Sequence, residues 1–289
     1  MISVQSATPA MFEDVHRLLL GFDNPRMSKA DWRRMLFQYP CKAEEASRGH
    51  VLLDGANAVG FIGTIFSPRE IEGKTERFCH LSSWIVLPEY RSRSLALLAS
   101  VARLEGYTVV CSTPSETSAR LFRRFGHRTL DHTVLFLPPL ATARELVNLV
   151  HASMTTREDE VPAGLTGEAR RCFEDHRGTL GAHVLLRRRG RSRWATATLI
   201  RRRGARFAGV RHSSDPQVFW DCLPLARLGF LETLKAPALA VDARFAEGRH
   251  VPFAVSHRRA TPQLYRPAHE GVRPALGDGL YSELMGLRQ

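Results

Sequence analysis

Residues 85–106, IVLPEYRSRSLALLASVARLEG, pass from an apolar strand pattern through an arginine- and serine-rich turn into an apolar helical pattern. Such a turn opens a helix whose first backbone N–H groups have no intrahelical partner, and the helix dipole adds positive potential at the same place. Ser92, Ser94 and Ala96 are small enough to let a bulky ligand approach the main chain, with Leu95 between them, and Arg91 and Arg93 supply charge. That combination suits a pyrophosphate. Just upstream, His80, Ser82 and Ser83 fall on one strand pattern, where alternation puts His80 and Ser82 on one face and Ser83 on the other. His80 and Glu89 are the candidate general bases, and Ser82 or Ser83 could bind an acceptor or a carbonyl. Each also has a plain structural role open to it, His80 as a packed strand residue and Glu89 as a turn charge. Cys111 ends another strand pattern, but no histidine can be placed beside it, so a buried inert thiol is the expected role rather than a nucleophile.

The elements that would position these groups are legible in outline. ISVQSA reads as a strand, Thr8-Pro9 as the start of a helix through Leu19, and Lys29–Phe37 as a second helix. Residues 50–55 and 57–66 flank the Asp54-Gly55 turn signal as a hairpin. Arg77–Leu87 follows as a longer strand broken by Pro88, then a helix over Ser94–Glu105, a strand at Tyr107–Cys111, a helix over Ser115–Phe125 stopped by Gly126, and a closing strand at Thr133–Leu137. After it, ARELVNLVHASM reads as helix and VPAGLTG as turn, a connection between domains. Strands are then expected at Ala182–Arg188, Trp194–Arg201, Phe207–His212 and Leu239–Ala243, with one helix over Gln217–Lys235. The last stretch, with Pro262, Pro267, Pro274 and Gly277-Asp278-Gly279, reads as loop before a short helix at Tyr281–Leu287. The chain thus divides into a domain over 1–140, a connection over 141–167 and a second domain over 168–289. Element order in the second half echoes the first, which makes a duplicated fold a hypothesis.

Composition narrows the setting. At 289 residues the chain can bury a core without disulfides and is comfortable as two domains. Its five cysteines, Cys41, Cys79, Cys111, Cys172 and Cys222, are scattered singly with no CxxC pair, so free thiols and no metal site are expected. No secretion-like start and no long apolar run appear, and a soluble cytoplasmic protein is the expectation. The net charge of +12 is concentrated after residue 140, much of it in nine arginines between Arg187 and Arg206. Only Trp194 and Phe207 lie among those arginines as stacking aromatics, which argues against a nucleic-acid module and leaves a phosphate-binding patch or plain surface charge.

Taken together, Arg91-x-x-Ser94-x-Ala96 after Pro88-Glu89-Tyr90-Arg91 resembles the coenzyme A loop of the GCN5-related N-acetyltransferases, Arg/Gln-x-x-Gly-x-Gly/Ala. SARLFRRFGHRTLD is similar to that family's Ala-x-x-Leu-Tyr-x-x-x-Gly-Phe signature. The resemblance covers about residues 3–137 and departs at two points: Ser94 stands where the family has glycine, and Phe122 where it often has the tyrosine that protonates the departing thiolate. It implies an α/β fold with a mixed, mostly antiparallel central sheet flanked by helices, the second half being a degenerate copy that serves as scaffold, dimer surface or acceptor wall. It implies acetyl-CoA or a related acyl-CoA as co-substrate. Main-chain groups of Ile85, Val86 and Leu87 would face the pantetheine arm, Arg91–Ala96 the pyrophosphate, Ser118 and Phe122 the far side, and Ser112 and Thr113 the acceptor. HLSSWIV with such a tail is similar to acyltransferase-like proteins of bacterial surface-polysaccharide synthesis, which suggests an amino-sugar acceptor, a small molecule rather than nucleic acid, in a protein that could form a homodimer. Two other functions stay open: a non-catalytic acyl-CoA-binding protein, and a phosphate- or nucleic-acid-binding protein using Arg187–Arg206.

Overall fold

The structure, a computed structural model, describes residues 1–39, 47–71, 73–202, 204–270 and 279–288, without the side chain of Asp131. Of the positions singled out above, Cys41, Arg203, Pro274, Gly277 and Asp278 lie outside the described residues. In chain order the elements are β1 (Ile2–Ser6), α1 (Phe12–Leu19), α2 (Lys29–Leu36), β2 (Gly49–Asp54), β3 (Asn57–Ile71), β4 (Lys74–Val86), α3 (Ser94–Ala102), β5 (Thr108–Cys111) and α4 (Glu116–Arg124). They continue with β6 (Arg128–Leu137), α5 (Ala143–Val147), β7 (Ala152–Thr155), α6 (Gly167–His176), β8 (Ala182–Arg188), β9 (Arg191–Arg202), β10 (Ala205–Ser213), α7 (Pro216–Asp221), α8 (Leu223–Leu234), β11 (Ala238–Asp242) and β12 (Val255–Arg266). No helix among the described residues is long and apolar enough to cross a membrane.

The chain forms two compact units. The first holds Met1–Leu130, residues 261–270 and Tyr281–Leu287, and the second holds Asp131–Ala260 with residues 279–280 and 288. The first unit's sheet runs β1-β2-β3-β4-β5-β12 and the second's runs β7-β8-β9-β10-β11-β6, reading outward from the first strand of each. Both are antiparallel except for one parallel pair, β4 with β5 and β10 with β11. A helix bridges each parallel pair, α3 in the first unit and α7 with α8 in the second, as parallel neighbours require.

Each unit takes its closing strand from a distant part of the chain. The strand after α4, expected to finish the first domain, instead pairs with β11 over Val134–Leu137. The first sheet is finished by Leu264–Arg266 of β12, paired with Val109–Cys111. This strand falls in the stretch expected to be loop. Other differences have local causes. Ala152–Thr155 is strand rather than helix, because His151 takes a left-handed conformation at φ 63 and the following residues pair with Leu185–Arg188. The single helix expected over Gln217–Lys235 is two, broken at Cys222 ahead of Pro224.

In the first unit, α3 and α4 cover one sheet face around Leu97, Leu98, Val101, Ala119 and Phe122, while α1 and α2 cover the other around Phe12, Val15, Trp32 and Phe61. Ser28 and Asp31 form a capping box that starts α2. Ser115 caps α4, its Oγ accepting the Ser118 N–H at 3.2 Å, and Gly126 at φ 81 lets the chain leave the helix. In the second unit α8 packs so closely on the sheet that a Cβ on Gly229 would lie 2.8 Å from Val184 Cγ2. Cys79, Cys111, Cys172 and Cys222 are buried free thiols.

Candidate active site

The site is made where two strands of the first unit part. β4 and β5 pair in parallel from Phe78 opposite Thr108 to Leu81 opposite Cys111, and there the pairing ends. Beyond that point β4 continues to Val86 on its own side of the gap. The departure coincides with a β-bulge: Gly63 faces Ser82 and Phe61 faces Ile85, so β4 carries one extra residue, and Ser83 adopts φ 56. A non-glycine residue in the left-handed region is strained, and such strain gathers at functional sites. Simple alternation, which would place Ser82 and Ser83 on opposite faces, does not hold through the bulge, and their hydroxyls lie 3.0 Å apart.

A cleft of about 760 Å³ occupies the gap. One wall is β4, with Ser82, Ser83, Trp84, Ile85 and Val86. The facing wall is the end of β5 and the start of α4, with Cys111, Thr113, Ser115, Thr117, Ser118 and Phe122. Arg91 and Ser94, from the turn into α3, also line it, as do Gly21, Phe22, Asn24, Trp32 and Leu287. Phe22 and Trp32 stack at 6.0 Å. Arg91 is the one charged side chain among the described lining residues.

The turn from β4 to α3 is a 3-10 turn over Pro88–Arg93 that runs directly into the helix. Arg93, at the N-cap, makes no side-chain cap; the Ser94 N–H is taken by the Arg91 carbonyl of the preceding turn, so what this end of α3 offers an anion is the positive end of the helix dipole beside Arg91. Tyr90 fixes the turn, its hydroxyl donating to Asp54 Oδ2 at 2.9 Å. That hydrogen bond holds the Asp54 carboxyl below, and the Tyr90 phenol above, the ordinary value. Arg91, Ser92 and Arg93 are exposed, as are Leu95 and Ala96, and Ser94 is half-buried.

Several residues expected at the site fall elsewhere. His80 is buried, 6% exposed, and does not line the cleft. Glu89 is exposed on the 3-10 turn, also away from the lining, as are Leu87 and Ser112. Ser82, Ser83, Ile85, Val86, Arg91, Ser94, Thr113, Ser118 and Phe122 come together in the cleft. Phe122 is 2% exposed with its ring 5.6 Å from Trp84 and 5.0 Å from His127. Burial holds the Cys111 thiol well above its ordinary value, with the Glu283 charge adding to it, so the thiolate needed for an acyl-enzyme does not form.

One acidic residue was missed. Glu283, in the tail expected only as a short helix, is 1% exposed and accepts the Thr113 hydroxyl proton at 2.9 Å. No motif surrounds it in the sequence. The arginine-rich strands of the second unit are in part used internally: Arg188 pairs with Asp221 at 2.5 Å, Arg193 with Asp215 at 3.2 Å, and Arg206 donates to the Leu234 carbonyl. Asp215 also caps α7 through the Val218 N–H, where the first unit has its arginine–serine turn.

No family profile matches the sequence, and no curated protein matches it either. Solved structures do match the fold. A probable N-acyltransferase from Enterococcus faecalis V583 aligns with a TM-score of 0.62 at 10% identity, over 93% of this chain and 73% of that one. A GCN5-related N-acetyltransferase from Kribbella flavida gives a TM-score of 0.60 at 13% identity, over 92% and 71%. The glucosamine N-acetyltransferase region of a fungal multi-domain GH3 β-N-acetylglucosaminidase gives 0.55 at 12% identity, over 92% of this chain and 38% of that one. With its mostly antiparallel sheet flanked by helices, the chain shares the fold of these GCN5-related N-acetyltransferases.

Proposed function

We propose that the chain is an acyltransferase that moves an acyl group from acetyl-CoA or a related acyl-CoA to a small-molecule acceptor by direct transfer in a ternary complex. The observation that carries this is the cleft between the parted ends of β4 and β5, opening beside the uncapped start of α3. Its β4 wall offers main-chain groups to an extended arm, and Arg91 and Ser94, at the positive start of α3, would meet a pyrophosphate. Positioning a thioester and an acceptor together supplies much of the rate in such a transfer. The Phe22–Trp32 pair with Asn24 beside it favours an acceptor that presents a ring face and a hydrogen-bonding group, and an amino sugar fits both. The similarity to a glucosamine N-acetyltransferase region adds to that acceptor class. A second reading, binding of acyl-CoA without turnover, is favoured by Phe122, whose ring cannot protonate a departing thiolate.

Isothermal titration with acetyl-CoA tests the proposal, with Arg91→Glu plus Ser94→Glu as the control that places negative charge on the phosphate position. Micromolar binding abolished in the control supports the cofactor site. Absence of binding to acetyl-CoA and to longer acyl-CoAs would overturn the reading, and binding with no acyl transfer to any acceptor would favour the second one.

A further inference from the structure

We infer that Thr113 and Glu283 form a proton relay for the nucleophile, with Thr113 as the catalytic residue in the cleft and Glu283 as the positioning residue and proton acceptor behind it. This rests on the acyltransferase reading above. A carboxylate with 1% exposure is costly unless hydrogen bonds hold it, and here Oε1 accepts the Thr113 Oγ1 proton at 2.9 Å. Thr113 itself lines the cleft, two residues past the point where β5 leaves β4. One hydroxyl therefore separates the carboxylate from the place where acceptor and thioester would meet. The carboxylate is also fixed in place. Ser282 is fully buried and caps the 3-10 turn Glu283–Met285 through the Leu284 N–H at 3.3 Å, and Met35 packs against Gly286 so closely that a Cβ there would lie 2.5 Å from its Cγ. Rigid support of this kind is what a proton-transfer group requires.

The step balances as follows. The amine nitrogen attacks the thioester carbonyl, and as the C–N bond forms its proton passes to Thr113 Oγ1 while the Thr113 hydroxyl proton passes to Glu283 Oε1. Collapse of the adduct breaks the C–S bond, with the electron pair leaving on sulfur. The thiolate takes a proton from cleft water, and Glu283 returns its proton to solvent through Thr113. The sum is amine plus thioester giving amide plus thiol. A carboxylate suits this task for an amine, which turns into an acidic ammonium on attack, and is too weak a base to draw the proton from a neutral alcohol beforehand. The relay therefore selects amines over hydroxyls as acceptors.

The test uses the full chain with acetyl-CoA and three amine probes, glucosamine, phenethylamine and hydroxylamine, following thiol release from about pH 6 to 9 beside calorimetric binding of acetyl-CoA. Glu283→Gln keeps an oxygen for the Thr113 hydroxyl but cannot take the proton. Thr113→Val keeps the shape and removes the hydroxyl, and Thr113→Ser restores it. Expected are a fall in kcat of about 100-fold in Glu283→Gln and in Thr113→Val and recovery in Thr113→Ser, with acetyl-CoA affinity within about twofold throughout. If Glu283→Gln does not fold, the threonine pair carries the comparison. A wild-type kcat in Glu283→Gln, or in Thr113→Val, overturns the relay alone. A wild-type chain that binds no acetyl-CoA, or binds it and acylates none of the probes, defeats the acyltransferase reading and the relay with it.

Discussion

Acid should destabilise this protein well above the range where carboxylates titrate, and His127 and His183 are the reason. Both are buried, and burial is the first cause that lowers each to about 4 from 6.5, with Arg266 adding to the effect at His127 and His176 at His183. The hydrogen bonds agree with neutral rings. Trp194 Nε1 donates to His183 Nδ1 at 3.2 Å, which requires that nitrogen to carry no proton. At His127, Nδ1 meets the Phe122 carbonyl at 3.1 Å and buried Nε2 has no partner among the described residues. Because the folded value lies below the unfolded one, the unfolded chain binds the proton first. The stability is complete above about pH 6.5 and is lost as pH falls toward 4. At pH 5 each histidine costs about 2 kcal/mol, a large share of a stability of roughly 5–15 kcal/mol. His127 belongs to the first unit and His183 to the second, so each unit bears its own loss. Asp54 and Glu13 have carboxyls held below their ordinary values by the Tyr90 and Lys29 hydrogen bonds, respectively. The assay is urea unfolding followed by tryptophan fluorescence at about pH 7.5 and 5, for the wild type and for His127→Asn, whose amide nitrogen can replace the Nδ1 donor. The first unit's loss between the two conditions should shrink by about 2 kcal/mol in the variant. An equal loss in both proteins would refute the reasoning.

Two further changes probe the framework, one in each unit. Arg266 of β12 donates to the Ala102 carbonyl at 2.9 Å and also reaches those of Val101 and Leu104, closing the C-terminal end of α3. Arg266→Ala should cost about 1–3 kcal/mol and speed amide exchange in the last turn of α3, measured by hydrogen exchange. Gly229→Ala should cost about 1–3 kcal/mol in a chemical melt of the second unit, since its Cβ would press on Val184, while acetyl-CoA affinity stays unchanged.

The elements around the site were readable because their signals are local. Asp54-Gly55 marks the hairpin, Ser115 and Gly126 bracket α4, and the RSRS turn opens α3, all without long-range help. The bulge at Ser83 was not readable, because a period-two pattern contains no mark of one inserted residue. β12 escaped notice because much of it is exposed, Pro262 sits within it, and its two buried positions, Gln263 and Leu264, are neighbours, so no alternation marks it. Glu283 could not be found from spacing at all. Its partner Thr113 lies 170 residues away, and only the tertiary fold brings them together.

The exchange of closing strands has a consequence for how the protein is made. While the ribosome works through the first 130 residues it produces β1 to β5, but β5 must wait for Leu264–Arg266 before its second edge is paired. For well over a hundred residues of synthesis that edge is an open template for other chains. The first half should therefore mature only once β12 has been made, and chains truncated before β12 should be the ones that aggregate or need chaperones. Folding of the cleft becomes a late checkpoint on having made β12.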